Sequence, residues 1–173
     1  MQTITDAAHP SSTGASPDAL AALADRVEIV DALYRFAAGQ DLRDRELFES
    51  AFAPEATFDF TGPAAGLGAD VPVFTGRPQI VDTILAATSP LRTTHTVTNP
   101  RVAITGDRAT LLALVEAQHV SRTDTRRHLL LKNVYRVQLR RDGAAWVMTH
   151  VAVETAWREG DPAVLFPSGP AAR

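Results

Sequence analysis

Apolar residues recur at helical spacing early in the chain and at alternate positions late in it. Leu20, Leu23, Val27, Val30 and Tyr34 are spaced by 3, 4, 3 and 4 residues, and Ile29, Leu33 and Phe36 widen the stripe. That period predicts one long amphipathic helix. Ser16-Pro17-Asp18 marks its start, with a capping hydroxyl and a proline at the first helical position. The helix is expected to end near Gly39, with Asp41 just beyond. A short second helix is expected from Asp44 to about Ala51, stopped by Pro54, and residues 57–60 read as a short strand. Gly62, Pro63, Gly66, Gly68, Pro72 and Gly76 make residues 61–76 a long loop, of the kind that often serves as a lid or binding loop. Arg77-Pro78 opens a third helix, through about Ala87.

From Thr93 onward the pattern turns to alternation. Strands are expected at about 93–105, 108–121, 128–141 and 145–156, with Gly106-Asp107 and Asp142-Gly143 as tight hairpin turns. In the third of these, Leu129, Leu131, Asn133, Tyr135, Val137 and Leu139 share one face, while Lys132, Arg136, Gln138 and Arg140 face solvent. Helices followed by a bent antiparallel meander predict an α+β domain with helices on one face of the sheet. Residues 1–16 and 161–173 are expected as tails around a domain at 17–160.

Composition narrows the function. The chain has 173 residues, and 17 basic against 20 acidic side chains give a formal charge of −3, so no nucleic-acid partner is implied. No run of about 18 apolar residues predicts a membrane span. The first residues lack the pattern of a signal peptide, so a cytoplasmic protein is expected. There is no cysteine, which removes disulfides, thiolate metal sites and a thiol nucleophile. No glycine-rich phosphate loop or dinucleotide fingerprint implies a cofactor.

The chemistry is in polar residues on apolar faces, where burial is costly without a partner. His119 ends the inward row Leu111, Ala113, Val115, Ala117. Asn133 and Tyr135 interrupt the inward row of the next strand, and His95 shares a face with Val97. Asp41, at the end of the long helix, is within reach of the same space. Each residue alone reads most simply as a satisfied core group; together they suggest one polar cluster in a pocket. His150 shares a row with Trp146, Met148 and Ala152 but also with Glu154, and its place stays open. Two histidines and a carboxylate are also a non-haem iron set, but no close ligand pair accompanies them, so no metal is expected.

The ordered segments YRFAAGQD, FAPEATFDF, TTHTV, TGDRATL, EAQHV, NVYRVQLRRDGAAWVM and ETAW resemble the SnoaL-like branch of the nuclear transport factor 2-like superfamily. This group includes scytalone dehydratase, hexachlorocyclohexane dehydrochlorinase, ketosteroid isomerase, limonene epoxide hydrolase and polyketide cyclases. The resemblance covers roughly residues 20–160. It implies a cone-shaped α+β barrel: a curved antiparallel sheet around a pocket, closed by helices. It places Asp41 and His95 on the dehydratase's catalytic aspartate and histidine, and His119 on its second pocket histidine. Asn133 and Tyr135 fall on the strand that supplies its pocket serine and asparagine. Gln40 and Phe60 stand where its two catalytic tyrosines would be, which argues against scytalone itself as substrate.

The expected activity is a cofactor-free lyase or isomerase, dehydratase-like, on a small apolar cyclic or polyketide-like molecule. Histidine, with an ordinary pKa near 6.5, suits a general base. His95 takes that role, Asp41 orients it, and His119 protonates the leaving oxygen or product carbon. Asn133 and Tyr135 hydrogen-bond the developing oxyanion. Leu111, Val115, Leu131 and Val137 are expected as pocket wall, with Phe60 and residues 61–76 at the mouth. A homo-oligomer, dimer or trimer, is expected through the outer sheet face, with Trp146 and Trp157 adding apolar contact. The alternatives are a polyketide cyclase, a non-catalytic ligand-binding or oligomerisation domain, and an accessory β-type oxygenase subunit.

Overall fold

A computed structural model describes residues 16–167. The expected N-terminal tail, with His9, lies outside the described residues except for Ser16. Helix α1 (Pro17–Leu42) begins where Ser16 Oγ accepts the Ala19 N–H at 3.2 Å. It runs on through Asp41 and is capped by Arg43 in the left-handed region, φ 61°. Helix α2 (Arg45–Ser50) follows at once, capped by Asp44. Then come β1 (Phe52–Asp59), α3 (Thr61–Gly66), β2 (Phe74–Thr75) and α4 (Arg77–Thr88). The segment at 61–76 is therefore not one loop, since it holds a helical turn and a strand. The long strands β3 (Leu91–Thr105), β4 (Arg108–Ser121), β5 (His128–Asp142) and β6 (Ala145–Gly160) form the meander.

The sheet has six strands in the order β2-β1-β6-β5-β4-β3. It is curved and does not close, so it is not a barrel. Nor is it purely antiparallel: β1 runs parallel to β6. Pro54 lies inside β1, where the register with β6 shifts and its missing N–H removes no ladder bond. The expected alternation in β4 and β5 is present, with Leu111, Ala113, Val115, Leu131, Tyr135, Val137 and Leu139 buried.

One correction concerns the face that α1 buries. Its buried face is Ile29, Ala32, Leu33, Phe36, Ala37, Gly39 and Gln40. Leu20, Leu23, Val27 and Tyr34, expected inside, are exposed, Val27 by 61%. At about 100° per residue, residues 20, 27 and 34 lie roughly 140–180° round the helix from Ile29 and Phe36. The helix thus carries two apolar faces, and only its second half lies deep in the fold.

Trp146 is fully buried and gives no contact to the outer sheet face. Its indole N–H donates to Asp25 at 3.1 Å, and Arg141 grips the same carboxylate through both terminal nitrogens at 2.9 and 2.7 Å. This ties α1 to the β5–β6 hairpin. At the far end, the Arg43 guanidinium donates to Thr88 Oγ1 at 2.8 Å and Leu91 O at 2.9 Å. The end of α1 is thereby held against α4 and the start of β3. The chain after Gly160, expected as a tail, turns back in a 3-10 helix (Pro162–Val164) and buries Val164. Among the described residues, no helix is long and apolar enough to cross a membrane.

Candidate active site

Glycine at position 39 lets α1 deliver its last turn. A Cβ there would lie 2.4 Å from the Phe48 backbone nitrogen, so α1 and α2 meet in direct contact. Gln40 is buried beyond this contact, and Asp41 projects towards β3. Asp41 Oδ1 lies 2.7 Å from His95 Nδ1, and its Oδ2 accepts the His95 backbone N–H at 2.6 Å. The His95 side chain is 3% exposed and that of Asp41 is 17% exposed. Burial pushes the Asp41 carboxyl up, but the hydrogen bond from the His95 ring, the charge of that ring and its backbone N–H together hold it below the ordinary value.

His95 pairs with Ala117 across β3–β4, and Thr93 pairs with His119. The two imidazoles thus come 6.0 Å apart, centroid to centroid, at 85°. Phe36 meets the His95 ring edge-on at 6.1 Å. Both histidines line one cavity with Gln40, Leu131, Asn133 and Tyr135. Its volume is about 130 Å³, close to the size of about 150 Å³ known to admit one benzene ring. Phe58, Phe60, Phe74 and Phe166 supply much of the apolar wall.

Burial, then the charge of His95, pushes His119 down to about 4, so its ring is neutral at pH 7. Burial also raises the Tyr135 hydroxyl, which keeps its proton. His119 Nδ1 and Asn133 Nδ2 are buried with no partner. Asn133 Oδ1 accepts a hydrogen bond from Thr155 Oγ1 at 2.9 Å. The cavity therefore offers one histidine tied to a carboxylate, and several neutral donors with unspent hydrogen-bonding capacity. Among the described residues, no three His, Asp or Glu side chains group with metal-site spacing.

Of the residues singled out in the sequence, Asp41, His95, His119, Asn133, Tyr135, Gln40, Phe60 and Leu131 meet at or beside this cavity. Leu111, Val115 and Val137 do not. They pack in the main core, and Val115 does so directly across the β4–β5 ladder from Asn133. His150 lies elsewhere, its Nδ1 2.7 Å from Thr57 Oγ1. A bulge opposite the Gln138/Leu139 step turns it away from the row of Met148. Sequence reasoning missed Thr155, Phe166 and Leu165. Thr155 shares the inward parity of Val151 and Val153, a signal present in the chain, whereas nothing periodic marks residues 165 and 166.

Comparison with known proteins agrees with the fold. Residues 21–152 match the SnoaL-like domain family. Terrestric acid biosynthesis cluster protein E of Penicillium crustosum is 31% identical over 151 residues, covering 83% of this chain and 91% of that protein. Among solved structures, Kfla4162 protein from Kribbella flavida superposes with a TM-score of 0.74 at 24% identity, over 83% of this chain and 98% of that one. A hexachlorocyclohexane dehydrochlorinase, LinA type 2, superposes with a TM-score of 0.70 at 18% identity, over 88% and 99% of the two chains. The fold is the nuclear transport factor 2-like cone with an open sheet. The chain belongs to the SnoaL-like domain family.

Proposed function

We propose that the chain is a lyase or isomerase that removes a proton from a small, largely apolar cyclic or polyketide-like molecule. The observation that carries this reading is the Asp41–His95 pair beside a predominantly apolar cavity. Asp41 accepts the Nδ1–H and so fixes the tautomer that leaves Nε2 unprotonated. Nε2 takes a proton from carbon next to a carbonyl or to a carbon bearing a leaving group. The C–H electron pair becomes an enolate, or a new double bond as the leaving group departs with its own pair. The imidazolium that forms is stabilised by the Asp41 carboxylate, as in a catalytic triad. The Asn133 amide and the protonated Tyr135 hydroxyl donate to the developing oxyanion. One such donor in a dry site contributes about 3 kcal/mol. His119 departs from its expected role. With its pKa near 4 it carries no spare proton at pH 7, so it polarises the leaving group or carbonyl as a neutral donor. The step needs a base and donors, and no cofactor.

The relatives support a small-molecule substrate: one is a biosynthesis cluster protein and another is a dehydrochlorinase. The reading includes a homo-oligomer, dimer or trimer; a one-chain mass by light scattering at micromolar concentration would remove that part. The chemical test is proton exchange. A panel of cyclic ketones, hydroxyketones and halides is incubated with the protein in D2O and followed by NMR. Deuterium incorporation or elimination that disappears in His95→Ala supports the base. Binding without exchange by any compound would make a non-catalytic ligand-binding domain the better account.

A further inference from the structure

Gln40 is out of place among its neighbours. It lies on the buried face of α1, one turn beyond Phe36, and is 3% exposed. The rest of that face is Ile29, Ala32, Leu33, Phe36, Ala37 and Gly39. The helix itself does not require an amide there, since leucine, methionine and glutamine have similar helix propensities. Burying an amide without a partner is costly. The Gln40 side chain nevertheless lines the cavity and makes no hydrogen bond to any described residue.

The cavity has polar groups on two walls. Phe36, on the same helix face as Gln40, meets the His95 and Tyr135 rings edge-on at 6.1 and 5.9 Å, so that face looks onto their end of the cavity. Gln40 enters from the helix side, whereas His119, Asn133 and Tyr135 enter from β4 and β5. The cavity, about 130 Å³, has room for about one ring, and a ring that fills it meets both walls. An oxygen set against Asn133 and Tyr135 leaves the Gln40 amide to a second function on the ring. An amide donates through its NH2 and accepts through its oxygen, and it can turn either end to a ligand. It therefore takes a hydroxyl or a carbonyl, and a ligand lacking both strands it in a dry site.

We infer that Gln40 is a specificity-determining residue that selects a ring carrying two oxygen functions, one for the sheet wall and one for its own amide. This rests on the reading of the cavity as a substrate site and deepens it, naming the substrate class as a hydroxyketone or diketone ring rather than a simple ketone.

The probes are phenol, catechol, resorcinol and hydroquinone, ring-sized molecules that differ only in the number and place of their hydroxyl groups. Their binding to the full chain is titrated by calorimetry under argon for the wild type, Gln40→Met and Gln40→Leu. The wild type is expected to bind at least one benzenediol about tenfold more tightly than phenol, the worth of about one hydrogen bond. Gln40→Met is expected to lose that tenfold and to keep its affinity for phenol, and Gln40→Leu carries the same readout should the methionine variant fail to fold. Both variants are expected to melt no lower than the wild type, because an apolar side chain replaces a stranded amide. A merely structural amide would lower the melting temperature and weaken phenol and diol alike, which overturns the inference. So does a wild type that prefers no diol to phenol, or a preference that survives both substitutions. These results leave the His95 base untouched, because that reading is tested by proton exchange. A wild type that binds none of the four overturns the inference together with the cavity as a site for a ring.

Discussion

Asp41 holds His95 at two points, the ring Nδ1 on one carboxylate oxygen at 2.7 Å and the backbone N–H on the other at 2.6 Å. The carboxylate therefore sets both where β3 lies against the end of α1 and which tautomer the ring adopts. On the proposed mechanism this carboxylate has a structural and a chemical role, and the two separate by mutation.

Asp41→Asn keeps one acceptor and the shape but removes the charge. Turnover of any substrate found by the exchange screen should fall by about 10²–10⁴, as it should for His95→Ala. The double variant should cost little more than the worse single one, since on the proposed mechanism the pair acts as a unit. Additive losses in kcat would show that the two residues work separately. The stability effect has its own sign. The Asp41 carboxyl is held below its ordinary value of 3.8, so its contribution is present above that pH and is lost as pH falls through the lower, folded value. The difference in melting temperature between wild type and Asp41→Asn should hold from neutral pH down to about 4 and shrink below it.

Gly39→Ala should destabilise the fold despite alanine's better helix propensity, worth about 1 kcal/mol. The new Cβ would sit 2.4 Å from Phe48 N and 2.6 Å from its Cα, and backbone cannot swing aside as a side chain can. Overpacking of this kind costs typically 1–3 kcal/mol or more, and separating α1 from α2 moves Asp41. Loss of both melting temperature and turnover is expected. Gly66→Ala, with nothing within 4 Å of the added Cβ, should leave both unchanged.

The legible parts of this molecule are those with a strict period. Alternation placed His95, His119, Asn133 and Tyr135 on one sheet face, because a strand in register repeats every two residues. The two bulges in β6 break that rule, and no residue type announces them. One turns His150 outward and the other brings Thr155 opposite Asn133. In α1 the failure has another cause. The stripe from Leu20 to Tyr34 has a faultless helical period, yet all of it but Val30 is exposed, because period identifies an apolar face and not what covers it. The C-terminal turn was missed for want of length: Val164, Leu165 and Phe166 show no repeat, and their packing depends on a pocket assembled from distant strands.

His119 predicts an acid sensitivity distinct from that of Asp41. Its folded pKa is pushed down to about 4 by burial and by His95, whereas an unfolded histidine titrates near 6.5. Between these values the unfolded chain binds the proton and the folded chain does not, so stability rises with pH. The contribution is complete above about pH 6.5 and is lost as pH falls towards 4. His119→Gln should flatten the dependence of melting temperature on pH in that window. An NMR titration of the wild type that places His119 near 6.5 would refute the assignment.

The C-terminal turn should control how tightly the cavity holds a ligand. Leu165 and Phe166 line it, and the turn is anchored by the Asp161 N–H on His128 O at 2.8 Å and by Arg127 near Asp161 at 3.4 Å. Phe166 is only partly buried, so Phe166→Ala should lower the melting temperature little. It removes apolar wall worth roughly 1.5 kcal/mol of ligand burial, which is about tenfold in affinity for a ring-sized probe such as 4-nitrophenol. Gly160→Ala should be worse on both counts. Gly160 has φ 103°, and a Cβ there would lie 2.2 Å from the His128 carbonyl oxygen, so the chain could not turn back into the same place. Titration of the probe against wild type and both variants separates the outcomes. Unchanged affinity in Phe166→Ala would mean that the turn covers the cavity without contributing to what binds there.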